Sequence, residues 1–263
     1  MPKLIIFMKR GDFGMTKEAL FETLREKFKE LLNEYNCDTK NISIKSRGMT
    51  PKEAIGDTKR VDYPILTGKE IMVMAEYKGC IGQAFTSAPA DYTGNIDNII
   101  NADIASDEHA LALFIACMNA VMRYLGLTDR TVHCKNEGPE ECAKDFIDWL
   151  KENFDNPNIL QIGYQPALFN QLSLHYNMRI LDLDPENIGK TLNGVTVEDG
   201  GKEHDEAIAW ADLILCTGST IANGSIVEYL EYLDAGKDVR FYGTTLAGAA
   251  YLLGLKRVCF KSE

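Results

Sequence analysis

The sequence predicts an α/β protein whose second part is an open parallel sheet and whose first part is a smaller α+β unit. Three observations carry this. After residue 157, short apolar runs alternate strictly with helix-length segments across short loops, the rhythm of βαβ units. Before residue 153 the order is helix, strands, then helices, with a hairpin signal and no such alternation. Asn153-Phe-Asp-Asn-Pro157 interrupts both patterns, so the division falls at 1–153 and 154–263. The second part is accordingly expected to be Rossmann-like, with helices on both faces of its sheet.

In chain order, residues 4–8 are apolar enough for a short strand. Thr16 caps an amphipathic helix to about residue 36, with Leu20, Leu24, Phe28, Leu31 and Leu32 on one face. Residues 42–46 alternate like a strand, and the polar stretch holding Pro51 and Pro64 reads as a long loop. Residues 70–77 and 80–86 form an antiparallel hairpin across Lys78-Gly79. Ser106-Asp-Glu caps an Ala-rich helix through about residue 125, apolar nearly all round and hence central. Residues 131–134 read as a strand, and Pro139 opens a helix reaching about residue 153. The second part then places strands at 159–163, 179–183, 213–216, 238–242 and 257–260. Helices fall at 167–176, 203–211, 225–235 and 247–253, and Ser225-x-x-Glu228 has the spacing of a capping box.

At 263 residues, 45% apolar and 25% charged, the chain has the make-up of a soluble globular protein with ample core. A net charge of -11 runs against nonspecific nucleic-acid binding, which takes a basic surface. The longest apolar stretch, 110–118, is far short of a membrane span, and residues 4–8 are too short for the core of a signal peptide. These points lead to a cytoplasmic protein with neither a membrane nor a nucleic-acid partner. Its seven cysteines, odd in number and irregularly spaced, are expected as thiols.

Ligands of open α/β sheets lie beyond the carboxyl ends of the strands. Four polar, glycine-bearing turns fall there: Gly163; Asp182, Asp184 and Asn187; Thr217, Gly218, Ser219, Thr220 and Asn223; and Gly243-Thr244-Thr245. Together they exceed what folding needs and suit a small, anionic or polar ligand near a helix N-terminus. Gly163-Tyr-Gln-Pro166 is not Gly-x-Gly-x-x-Gly, so the pyrophosphate turn of nicotinamide and flavin enzymes is missing. Asp182 stands where a ribose-hydroxyl acceptor would, and equally where a strand end is capped; an adenosine-containing ligand is compatible but not required. Asn119, amid an apolar helix, needs a buried partner, either backbone or a ligand between the two parts.

The one cluster with metal-ligand chemistry is His133, Cys134 and Cys142. Cys142 falls near the start of the helix opened by Pro139, where the helix dipole favours thiolate. Imidazole and thiolate hold borderline and soft transition metals. On a strand, residues 133 and 134 would point to opposite faces, which works against one shared ion. The plainer account is two partly buried thiols and a surface histidine. No Ser-His-Asp arrangement, nucleophile elbow or phosphate-binding P-loop appears, so no catalytic residue is named.

Gly82-Gln-Ala-Phe-Thr86, the helix ending in Asn119-Ala120, Leu181-Asp-Leu-Asp-Pro-Glu-Asn-Ile-Gly189, Thr217-Gly-Ser-Thr-x-x-Asn-Gly224 and Tyr242-Gly-Thr-Thr-Leu-Ala-Gly248 together make a pattern over nearly the whole chain. Their order resembles that of the proteins described as "putative heavy-metal chelation". The resemblance implies an enolase-N-terminal-like domain before a Rossmann-like domain, a site in the cleft between them, and a role in binding or delivering metal. By motif match it carries Thr217, Gly218, Asn223, Asp182, Asp184 and Asn187 into that cleft.

Two functions follow. The first is a metal-handling protein that holds a transition metal ion, or a small metal complex, between the two domains. The second is an enzyme of transferase or lyase class with an adenosine-type or other small anionic ligand at the strand ends. Pairing of Rossmann-type sheets extends the expectation to a homodimer, by fold analogy only.

Overall fold

The computed structural model describes residues 15–41, 43–68 and 70–263; the strand expected at 4–8 lies outside them, as does Ile42. Helix α1 (Lys17–Glu34) opens on Thr16, whose hydroxyl accepts from the Ala19 amide at 3.2 Å. Its expected apolar face is buried, with Phe21 added to it. Strand β1 (Ser43–Met49) follows. The stretch expected as loop then contains helix α2 (Pro51–Ile55) and a 3-10 turn (Pro64–Thr67). Thr50 and Glu53 close a reciprocal capping box on α2, so the start signal was present, but five residues are too few to show a helical period.

Strands β2 (Ile71–Tyr77) and β3 (Cys80–Thr86) form the expected hairpin, with Tyr77 opposite Cys80. Lys78 and Gly79 both take positive φ, 49° and 80°, as a two-residue turn matched to strand twist requires. Strand β4 (Tyr92–Asn95) completes an antiparallel sheet of order β3-β2-β1-β4 and runs straight into the short helix α3 (Ile96–Ile100). Helix α4 (Glu108–Tyr124) is capped by Asp107 rather than Ser106 and is buried continuously from 111 to 122. It packs on β2 and β3 on one side and on α10 on the other. The strand expected at 131–134 does not form: the segment bends at Val132, the Gln83 amide donates to the Thr131 carbonyl, and Val132 exchanges both backbone bonds with Glu263. Helix α5 (Gly138–Asn153) ends the first half.

The remaining elements are β5 (Ile159–Ile162), α6 (Pro166–His175), β6 (Met178–Asp182), β7 (Thr191–Leu192), β8 (Val195–Asp199) and α7 (His204–Trp210). They are followed by β9 (Leu213–Thr217), α8 (Thr220–Asn223), α9 (Ile226–Asp234), β10 (Asp238–Tyr242), α10 (Ala247–Leu253) and β11 (Arg257–Val258). The sheet order is β11-β10-β9-β5-β6-β8-β7, parallel throughout except for β7 against β8. The β7–β8 hairpin sits in what the sequence suggested was loop; its signal was Asn193-Gly194, both at positive φ.

Alternation along the central strands sorts the core. Leu160, Ile162, Ile214 and Cys216 join the apolar cluster of α1 and α4, while Ile159, Leu213 and Leu215 join that of α5 and α6. The sheet is therefore buried on both faces, which is why its strands read as continuous apolar runs. Counted along the chain, the parallel strands lie in the order 3-2-1-4-5-6, reversing between β5 and β9. That reversal opens a crevice at their carboxyl ends. No helix among the described residues is long and apolar enough to cross a membrane.

Candidate functional site

The crevice is real and large: a cavity of about 860 Å³ lies at the carboxyl ends of β5, β6, β9 and β10. Tyr63, Glu70, Phe85, His133 and Cys134 close it from the first half of the chain. Of the residues expected at the strand ends, Gly163, Asp182, Asp184, Asn187, Thr217, Ser219, Thr220, Asn223 and Thr244 line it; Cys142 does so from α5. Gly218 and Asn119 do not.

Gly218 is a packing residue. Its amide donates to the Tyr242 carbonyl at 2.7 Å, and a Cβ there would come within 2.9 Å of that oxygen and of Leu246. Asn119 is fully buried and wholly occupied by backbone. Its Nδ2 donates to the carbonyls of Gln83, Thr244 and Thr245, and its Oδ1 accepts from the Gly248 amide at 2.7 Å. The partner it needed is the seam between the two sheets: both of its N–H donors are taken there, and the side chain does not line the cavity.

Gly163 takes φ 86°, and a Cβ on it would sit 2.6 Å from Thr217 Cγ2, so only glycine lets the β5 and β9 turns touch. Asp182 Oδ2 accepts from the Tyr164 amide at 2.6 Å; Oδ1 accepts from the Asp184 amide at 2.8 Å and from Asn187 Nδ2 at 3.3 Å. A carboxylate has about four acceptor positions, so these bonds leave too few for a bidentate grip on ribose hydroxyls. Asp182 is the cap of its own turn. Asn187 in turn accepts from Lys190 Nζ at 2.7 Å.

The turn after β9 keeps its hydroxyls inward. Thr217 Oγ1 and Ser219 Oγ are 2.9 Å apart, and Thr220 donates to the Thr217 carbonyl at 2.7 Å. The expected Ser225–Glu228 capping box is absent. Because α8 already winds the chain, Ser225 has helical dihedrals, and its amide and hydroxyl both donate to Asn223 Oδ1. Beside this turn, Thr245 Oγ1 accepts from the Phe85 amide, whereas the buried Thr244 hydroxyl has no partner among the described residues.

Glu70 escaped the sequence reading, since one glutamate before a strand carries no signal. Burial, then the Asp182 and Asp184 charges, push its pKa up to about 7 from an ordinary 4.5. Burial pushes His133 the other way, down to about 4 from 6.5. The signs follow from linkage. Glu70 contributes stability that is full below about pH 4.5 and lost as pH rises through about 7. His133 contributes stability that is full above about 6.5 and lost as pH falls toward 4. The two oppose each other between about 4.5 and 6.5. Glu70→Gln should therefore make stability relative to wild type decrease as pH falls through that window, by at most about 1.4 kcal/mol per unit. Urea midpoints of both proteins across the window measure this; a constant difference would show that Glu70 does not retain its proton.

The three metal-ligand candidates share one wall, but among the described residues no three His, Cys, Asp or Glu side chains are disposed around a metal ion. His133 Nδ1 is 2.7 Å from the Cys134 carbonyl, which makes it the protonated nitrogen, and the ring meets Phe85 edge to face. Burial pushes the Cys134 thiol up to about 12. The neighbouring Cys259 thiol and then burial push Cys142 up, and Cys142 beside it is the main reason Cys259 falls to about 6. Cys259 was missed from sequence because its approach depends on the C-terminal segment pairing with Val132.

Residues 145–255 match the DUF364 family, whose description is "Putative heavy-metal chelation". A structure of a DUF364 protein of unknown function from Pyrococcus horikoshii is similar at 15% identity and TM-score 0.49, covering 86% of this chain and 79% of its own. Another from Desulfitobacterium hafniense DCB-2, also of unknown function, is similar at 13% identity and TM-score 0.45, covering 70% and 73%. No functionally curated protein matches the chain.

Proposed function

We propose, for a chain whose residues 145–255 match the heavy-metal-chelation family, that the cavity binds a small metal complex in the cytoplasm rather than a bare ion. The observation that carries this is size. About 860 Å³ falls in the range of small-molecule pockets, roughly 300–1,000 Å³. A bare ion asks instead for several converged donors. The orphaned Thr244 hydroxyl and the Thr217–Ser219 pair supply polar contacts, and Tyr63, Phe85, Tyr164 and Phe146 supply apolar walls. Metal would thus arrive already held by its own chelator.

On this reading residues 154–263 form the Rossmann-like domain, which the 3-2-1-4-5-6 strand order supports. Residues 1–153 form the enolase-N-terminal-like domain. The adenosine alternative is the weaker one, because Asp182 spends its carboxylate on its own turn.

The test is native mass spectrometry with plasma elemental analysis on gently purified, tag-free protein, beside Thr244→Val. The wild type should carry a small-molecule adduct with near-stoichiometric metal. The valine variant should lose the adduct while melting no lower than wild type, because it removes a buried hydroxyl that has no partner. Metal-citrate and metal-histidine complexes should raise melting of stripped wild type, by about 2.7 kcal/mol of stability at one hundred times Kd. Protein without adduct or metal, and unmoved by every complex, would end this reading.

A further inference from the structure

The charge of the cavity wall runs against the anionic ligand that its polar turns suggested. Three half-buried carboxylates line it, Glu70, Asp182 and Asp184, and three exposed ones, Asp205, Glu228 and Glu231, stand at its rim. Among the described residues, Lys202 is the one lysine or arginine in that lining, and its Nζ is paired with Asp199 at 2.7 Å. Lys190 does not join the lining: its Nζ donates to Asn187 Oδ1 and lies 4.9 Å from the centre of the Tyr164 ring. Asp182 accepts from the Tyr164 and Asp184 amides and from Asn187, but all three donors are neutral and leave its charge in place. Burial, then the Asp182 and Asp184 charges, raise Glu70 to about 7, the response of a carboxyl group set in a negative field. An open hydroxyl completes the wall. Thr244 is 1% exposed, lines the cavity and has no partner for its Oγ1 among the described residues, so that oxygen can accept an N–H from a ligand. The rings of Tyr63, Phe85 and Tyr164 in the same wall attract positive charge as well.

We propose that the cavity selects a cationic complex, a metal enclosed by amine-type nitrogen ligands whose N–H groups donate to Glu70 and to the Thr244 hydroxyl. This rests on the reading of the cavity as the seat of a small metal complex, and adds the charge and donor chemistry of the carrier. Nitrogen carriers leave the metal its positive charge and turn N–H donors outward. Carboxylate carriers such as citrate cancel that charge and turn acceptors outward, which would face the carboxylates of the wall. Amine and imidazole carriers are thereby placed ahead of carboxylate ones. The rim carboxylates raise the local concentration of a cation before it enters. On binding, the cation displaces the Glu70 proton to solvent, and no bond between metal and carrier breaks.

The test uses two exchange-inert cobalt(III) complexes of similar size and opposite charge, the tris(ethylenediamine) cation and the tris(oxalato) anion. Each is titrated by calorimetry into the stripped full chain at about 0.15 M salt, where charges more than about 8 Å away are largely screened. The cation should bind at one equivalent and at least about tenfold tighter than the anion. At about pH 8, Glu70→Gln should weaken the cation by about tenfold. Glu30→Gln, which removes an exposed charge on α1 outside the cavity lining, should leave it unchanged. Because a variant that fails to fold also fails to bind, proton release is read on wild type. Near pH 7 the heat should vary with the ionisation enthalpy of the buffer, corresponding to up to about half a proton released per complex. Tighter or equal binding of the anion, no binding of either complex, heat independent of buffer, or equal losses in Glu30→Gln and Glu70→Gln overturns the cationic assignment. The cavity reading then stands or falls separately, on whether the purified protein carries its adduct.

Discussion

Asn119→Leu is expected to destabilise the protein by about 3–5 kcal/mol, the largest effect of any single side chain considered. The leucine fills a similar volume but removes the donor shared by Gln83, Thr244 and Thr245 and the acceptor of the Gly248 amide. Those four backbone groups lie on β3, on the turn after β10 and at the start of α10, so the loss falls on the seam between the two sheets. Each buried group left unpaired costs about 1–3 kcal/mol. Asn119→Asp separates hydrogen bonding from packing: it keeps the shape, yet turns a carboxylate toward three carbonyl oxygens. It should be at least as damaging. Urea unfolding midpoints of the three proteins decide this, and a well-tolerated aspartate would show that the donor side of Asn119 contributes little.

Gly82→Ala comes next, at about 3 kcal/mol, the upper end of what overpacking costs. Gly82 lies on β3 beneath α4. A Cβ there would fall 2.3 Å from the Ala120 nitrogen and 2.4 Å from the Ala116 oxygen. Both obstacles are helix backbone, which cannot rotate away as a side chain would. The hairpin glycine Gly79 makes the comparison, since it has φ 80° and no atom within 4 Å of an added Cβ. Gly79→Ala should cost only the conformational term, about 1–2 kcal/mol. If thermal unfolding finds Gly82→Ala no worse than Gly79→Ala, then α4 has room to lift off the sheet.

Much of this architecture was legible because its signals are local. The burial of α4, the β2–β3 hairpin and the alternation from 159 onward each depend on residues within one or two turns of each other. So do the strand-end turns: Gly163, Asp182, the Thr217 stretch and Thr244 fall on one edge because parallel strands end on one edge. Short elements escaped for the same reason. Helices α2, α3 and α8 and strands β4 and β7 are too brief to show a period, and α8 in turn removed the cap expected at Ser225. Residues 131–134 read as a strand but bend at Val132 and join no sheet, because their backbone bonds go to Gln83 and Glu263 instead.

By itself, then, the sequence determined the elements, their order, the class of fold and the edge of the sheet where polar turns gather. The tertiary structure alone decided which distant groups meet there. Strand order, the Asn119 seam and the raised pKa of Glu70 all arise from pairings between segments far apart in the chain. Side-chain periodicity and turn chemistry act over a few residues, whereas burial and charge proximity depend on the final packing of the whole chain.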